Sequence, residues 1–272
     1  MNLPLRHSIT ELVRVWDTNI NPVQVIADDV KDYVAKHNRG QAPCTRLRNE
    51  VLAHAYAGIW GLPVLEAALL KVDPLHVGRH LSGTCQPAYF KHTCFATRFR
   101  KDSTEFNRFL DQANAYEGKR FVNRQDLLKI ALFDIWLAND DHTGNHPNLL
   151  VTADDGGFTI RAMDHEGIFY GNNPGRTLPL LTLEDSLLTH AALRPLLGRN
   201  FHRNKLEVQR AVGNFYLWVQ ACEQRTDEIL SLLPPDWGVE AATFGPLLKE
   251  RLFAVEHLRT VEHHFHELLQ QC

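Results

Sequence analysis

Asn139-Asp140-Asp141-His142-Thr143-Gly144-Asn145-His146 follows directly on the apolar run Leu127 to Ala138, and Ala162-Met163-Asp164-His165-Glu166-Gly167 comes shortly after it. Between the two lie short β-like runs, Asn148 to Thr152 and Phe158 to Met163, flanking Asp154-Asp155-Gly156-Gly157. Two apolar runs joined by Asp-Asp-Gly-Gly predict a hairpin, because Gly supplies the positive φ that a tight turn needs. The order is therefore helix, acidic loop, hairpin, Asp-x-x-Gly. Phosphoryl transfer needs such a set: a carboxylate to orient the attacking hydroxyl, and an amide with a second carboxylate to hold a metal.

Spacing sharpens this reading. Asp140 and Asn145 are five residues apart, the separation of base and metal ligand in the catalytic loop of protein kinases. Asp164 falls where those enzymes place the Asp that opens the DFG segment. A hard Mg²⁺ ion takes few protein oxygens and leaves the rest to phosphate and water, so Asn145 and Asp164 suffice as ligands. Asp140 is then the base. His142 is its companion in the loop, its ring expected to hold the loop, with Asp141 turned to solvent or bracing His142. Asn148, at the start of the hairpin, rivals Asn145 for the metal.

The front half supplies a cation. Val23 to Ile26 and Asp32 to Lys36 bracket Asp28-Asp29 and predict a second hairpin. Tyr33-Val34-Ala35-Lys36 ends it, much as the nucleotide lysine ends Val-Ala-Ile-Lys in kinases. A helix is predicted over Thr45 to Trp60, stopped by Gly61 and Pro63. Glu50 lies in its first turns, placed to pair with Lys36. ATP and Mg²⁺ are the cofactors these parts call for.

Asp140-Asp141-His142-x-x-Asn145-His146 resembles the D-[DG]-H-x-x-N catalytic loop of the HipA family, bacterial Ser/Thr kinases of toxin–antitoxin and related systems. Arg48-Asn49-Glu50-Val51 followed by Trp60-Gly61-Leu62-Pro63-Val64 resembles the same family's N-E-(helix)-G-L-P segment. The resemblance runs from about Val23 to Phe169. It implies a catalytic base at Asp140, metal ligands at Asn145 and Asp164, a phosphate-binding lysine at Lys36, a protein substrate and an antitoxin-like partner. Full-length members carry a further N-terminal β-subdomain, for which 272 residues leave little room. No glycine-rich loop lies between Pro22 and Val34.

The predicted fold is α+β: a bilobal protein-kinase-like architecture, with a small β-rich N-lobe over residues 1–100 and a larger, mainly helical C-lobe over 101–272. Leu65 to Val72 and His92 to Phe99 are further strand candidates in the first part. Helices are predicted over Thr104 to Glu117, Arg124 to Ala138, Leu183 to Leu197, Asn204 to Leu233 and Phe244 to Gln270.

Composition excludes several classes. A net charge of -3 argues against direct nucleic-acid binding. Apolar stretches are too short to span a membrane, and the charged N-terminus does not read as a signal peptide. Five widely spaced cysteines without a CxxC pair fit a reduced, cytoplasmic setting. His263, His264 and His266 sit on an amphipathic helical run and read as a solvated face rather than a metal site.

Three alternatives use the same residues. A metallophosphoesterase would need its metal-binding pieces on separate strands, whereas here they are contiguous. A non-catalytic kinase-fold binding protein would account for the missing glycine-rich loop. An aminoglycoside-type small-molecule kinase shares every part named above.

Overall fold

The computed structural model describes residues 3–78, 81, 84–113, 119–172 and 177–272. The chain divides into two compact units. The first comprises Met1–Leu52, Leu65–Lys101 and Glu228–Ala241, and the second Ala53–Val64, Asp102–Asp227 and Ala242–Cys272.

Six strands make the sheet of the first unit: β1 (Leu5–His7), β2 (Arg14–Val15), β3 (Val23–Ile26), β4 (Asp32–Lys36), β5 (Ala67–Lys71) and β6 (Cys94–Arg98). Their order is β1-β5-β6-β4-β3-β2. Only the β1–β5 pair is parallel. The β3–β4 turn closes with Ala27 N donating to Lys31 O at 3.0 Å, while Asp29 accepts from the Tyr33 hydroxyl at 2.9 Å. One face of the sheet carries the core, built on Val23, Val25, Tyr33, Ala35, Ala68, Leu70, Cys94 and Ala96. Successive side chains alternate across a strand, so Val34 and Lys36 point to the other face.

Residues from far along the chain complete this unit. The Asp236 carboxylate accepts from Thr93 N at 2.8 Å and Thr93 Oγ1 at 3.0 Å, and the Trp237 indole donates to Thr93 O at 2.6 Å. Cys44 N, at the start of α1 (Thr45–Ile59), donates to Trp237 O at 2.8 Å. Polar backbone just ahead of β6 thereby finds partners on burial.

In the second unit, β7 (Ser103–Glu105), β8 (Leu149–Asp154) and β9 (Gly157–Ala162) form an antiparallel sheet in the order β7-β8-β9. The helices are α2 (Phe106–Gln112), α3 (Asp126–Leu137), α4 (Ile168–Asn172), α5 (Leu193–Leu197), α6 (Lys205–Val212), α7 (Phe215–Leu230), α8 (Ala241–Leu252) and α9 (Val255–Gln271). Helix α3 is apolar on all sides, with every residue from Leu127 to Leu137 buried except Lys129, which makes it the core helix. Trp60 stacks on Trp136 at 5.4 Å and meets Phe133 edge-on at 5.0 Å.

Three predicted helices are broken. Leu183 to Leu197 holds only a 3-10 turn, Leu187–Thr189, and α5, because the Ser186 hydroxyl accepts from Leu188 N and starts a new turn. The second break falls at Gly213, a residue of low helix propensity, between α6 and α7. The third falls at Phe253 and Ala254, where Phe253 turns inward to Trp136 at 5.9 Å and packing overrides continuation of the helix. The predicted end of the second-unit's first helix at Glu117 lies outside the described residues. No helix among the described residues is long and apolar enough to cross a membrane, and all five cysteines are free.

Candidate active site

The loop that follows α3 is shaped by one carboxylate inside that helix. Ala138 takes a left-handed conformation, φ 49° and ψ 52°, and ends the helix. Asp134, 1% exposed, then receives the loop: its oxygens accept from Asn139 Nδ2 at 2.9 Å and from His142 Nδ1 at 3.1 Å. His142 is fully buried, and its Nε2 faces Met163 O at 2.8 Å and Asp164 O at 3.3 Å. A ring nitrogen facing a carbonyl must donate, and the nitrogen facing Asp134 pairs best as a donor, so His142 is an imidazolium. Burial alone would lower its pKa; Asp134, reinforced by the Met163 carbonyl and Asp164, raises it from 6.5 to about 9.

The brace of His142 is therefore Asp134, not Asp141, because a carboxylate inside the core can meet the buried ring while Asp141 is exposed. Sequence reasoning missed Asp134. Its signal is the one acid within the run Leu127 to Ala138, which must be paired if it is to be buried.

The Asp164 segment lies directly on this loop. A Cβ at Gly167 would sit 3.2 Å from Asp141 Cβ and 3.6 Å from Asp140 Oδ1, so the bare glycine permits the close approach. Tyr170 N donates to Ala138 O at 3.0 Å. Asp164 itself sits at φ 60°. The structure thus brings Asp140, His142 and Asp164 into one neighbourhood. Asn145 lies exposed farther along the same loop, its carbonyl accepting from Asn107 Nδ2 at 3.1 Å. Asn148 donates its side-chain amide to Asp141 O at 2.9 Å.

Burial pushes the Asp140 carboxyl above its ordinary pKa, its own backbone N–H draws it part-way back, and the charge of Asp185 pushes it up again. Such a group is more basic than a solvated aspartate, which suits a proton acceptor. Asp185, missed in the sequence, is held by the Thr182 hydroxyl at 2.6 Å.

Within the first unit Lys36 forms an ion pair with Glu50, and both side chains are largely buried. The pair joins the end of β4 to α1, and a lysine so held keeps a fixed direction.

Two groups could suggest a nitrogen-ligated metal. Asp134, His142 and His165 cluster within 4.8 Å, but both His142 nitrogens are occupied as donors, and no lone pair remains for an ion. On α9, His263 and His264 face Glu267 at 3.3 and 3.6 Å, and His264 Nε2 meets Leu181 O at 2.6 Å. Oxygen donors of the kind a hard cation takes are offered by Asp164 and Glu166, whose carboxylate oxygens lie within 4.8 Å of one another.

The His142 imidazolium predicts a pH dependence of stability. The folded state keeps a proton that the unfolded chain releases above pH 6.5. The stabilisation is thus complete below 6.5 and lost as pH rises through about 9. Its full extent is about 3 kcal/mol. Read from urea unfolding between pH 6 and 8, the stability advantage of the wild type over His142→Gln should shrink as pH rises. The comparison cancels the opposite contribution of His37, His54, His190 and His257, whose pKa values burial lowers. Equal slopes in the two proteins would refute the imidazolium.

The family profile described as HipA-like kinase matches residues 9–173. A search of curated protein sequences returns no match. Among solved structures, the chain is similar to the Helicobacter pylori proinflammatory kinase CtkA, with a TM-score of 0.53 and 14% identity over 96% of this chain and 99% of that one. It is also similar to a Golgi casein kinase with Mn/ADP bound, with a TM-score of 0.50 and 13% identity over 97% and 73% of the two chains. A Shewanella oneidensis HipA, solved with HipB and operator DNA, aligns at a TM-score of 0.47 and 13% identity, over 88% of this chain and 60% of that one.

Proposed function

The chain belongs to the HipA-like kinase family, and from that premise we propose that it transfers the γ-phosphoryl group of ATP to a serine or threonine of a protein. The observation that carries the reading is the tie between the acidic loop and the Asp-x-x-Gly segment. His142 donates to the backbone of Met163 while Gly167 lies against Asp140, so base and metal carboxylate sit on one braced framework.

Asp140 accepts a hydrogen bond from the acceptor hydroxyl, aims its oxygen at the γ-phosphorus, and takes the proton as the new O–P bond forms and the bond to the bridging oxygen breaks, ADP leaving with that electron pair. Lys36, steadied by Glu50, binds phosphate oxygens of the nucleotide. Asn145 and Asp164 hold the divalent cation, Mg²⁺ by its preference for few hard oxygens. When bound, the cation offsets the charge of the phosphates. His142 touches neither nucleotide nor acceptor in this scheme and serves to hold the loop. An antitoxin-like protein partner belongs to the same proposal and rests on family membership, and the net charge of -3 favours a protein over nucleic acid.

Intact-mass analysis after incubation with Mg-ATP tests the reading, run with and without cell extract. Gain of one phosphoryl group by the chain or by an extract protein is expected, and label on a small molecule alone would instead favour an aminoglycoside-type acceptor. No transfer to any acceptor, with nucleotide bound, would leave a binding protein.

A further inference from the structure

Asn107, in the first turn of α2, lies outside every motif in the sequence, yet it reaches the loop from the side. Its Nδ2 donates to Asn145 O at 3.1 Å, and its Oδ1 faces His190 Nε2 at 2.7 Å. The direction of this chain of bonds is fixed at its far end. His190 Nδ1 accepts from Ala192 N at 3.0 Å, so the ring proton sits on Nε2 and donates to Asn107 Oδ1. The Asn107 amide can then only turn its NH₂ toward Asn145. Burial lowers the pKa of His190 and keeps it in this neutral form.

The same corner seats the preceding residue. A Cβ on Gly144 would collide with Thr189 Oγ1 and lie 3.0 Å from Thr189 C and 3.1 Å from His190 N. The loop is therefore pressed against the 189–190 backbone at Gly144 and pinned by Asn107 at Asn145. Phe106, fully buried, anchors the start of α2 against the His190 ring at 5.2 Å. Asn107 itself is exposed, so the fold does not depend on it for core packing.

We propose that Asn107 is a positioning residue for the cation: held by His190, it fixes the backbone of Asn145 so that the Asn145 side chain is presented to the metal. This rests on the reading of Asn145 as a metal ligand. Free rotation of the loop at Asn145 would let its amide swing away, and ordering it on binding would then weaken the ion's hold.

The test is binding of Mn²⁺ in the presence of ADP, followed by the EPR signal of the free ion, on the full chain. Asn107→Ala and Asn107→Leu should each weaken Mn²⁺ about fivefold, the effect of one lost hydrogen bond, with thermal midpoints lowered by no more than about 2–4 °C. Asn145→Ala should weaken it at least as much. If Asn145→Ala weakens Mn²⁺ while the Asn107 variants bind as wild type, the proposal fails and the ligand reading stands. If Asn145→Ala binds as wild type, the ligand reading falls and takes the proposal with it. A thermal midpoint lowered well beyond about 2–4 °C in both Asn107 variants would mark an ordinary structural brace and overturn the proposal as well.

Discussion

Asp164→Asn is expected to lower phosphoryl turnover by at least about a hundredfold, about 2.7 kcal/mol of transition-state stabilisation. The change keeps the shape of the side chain and removes its charge, so the phosphates face the site without the carboxylate that anchors their cation. His142 bonds the backbone carbonyl of residue 164, not its side chain, so the brace survives the substitution. The variant should therefore fold, as a cooperative denaturation curve would show. Wild-type turnover of ATP in a folded Asp164→Asn protein would remove the kinase mechanism from this site.

Asp140→Asn and Asp141→Asn, by contrast, are expected to differ sharply although they are neighbours. Adjacent side chains in a loop diverge, and only one can face the acceptor. Asp140 is half-buried and raised in pKa by its surroundings, while Asp141 is exposed and lends its carbonyl to Asn148. Asp140→Asn should cut turnover about a thousandfold with nucleotide affinity nearly intact, because the base positions the acceptor rather than ATP. Asp141→Asn should stay within roughly tenfold. Steady-state turnover beside nucleotide titration separates the two. An exchange of these effects would make Asp141 the base, and with the register moved by one Asn148 becomes the metal ligand.

How much of this was legible depended on whether the signal was local. Both hairpins announced themselves through turn residues, Asp28-Asp29 and Asp154 to Gly157, because a two-strand turn is decided by the few residues within it. Helix α1 was bounded by Gly61 and Pro63, and α3 by its unbroken apolar run. Two of the three helix breaks were not legible, since Phe253 and Ser186 turn the chain through tertiary packing and side-chain capping that no periodicity records; Gly213 was a local signal for the other. Asp134 could have been found, as a charge that a core helix tolerates only with a partner. Asn107, Asp185 and His190 could not: each meets the loop from tens of residues away, and nothing near them in sequence marks the contact.

The anchoring of Thr93 by Asp236 and Trp237 has a consequence for synthesis. These partners lie 143 residues apart. A ribosome adding about 5–20 residues per second leaves β6 waiting roughly 7 to 30 s for them. Through that interval the first unit has its hairpin and its buried strands but lacks the indole that covers the Thr93 carbonyl. Released chains truncated before residue 236 should therefore be protease-sensitive around β6, whereas the full chain should be protected there. Lys36, at the end of the neighbouring strand and proposed above to bind phosphate, would then gain its final surroundings only as the chain nears release.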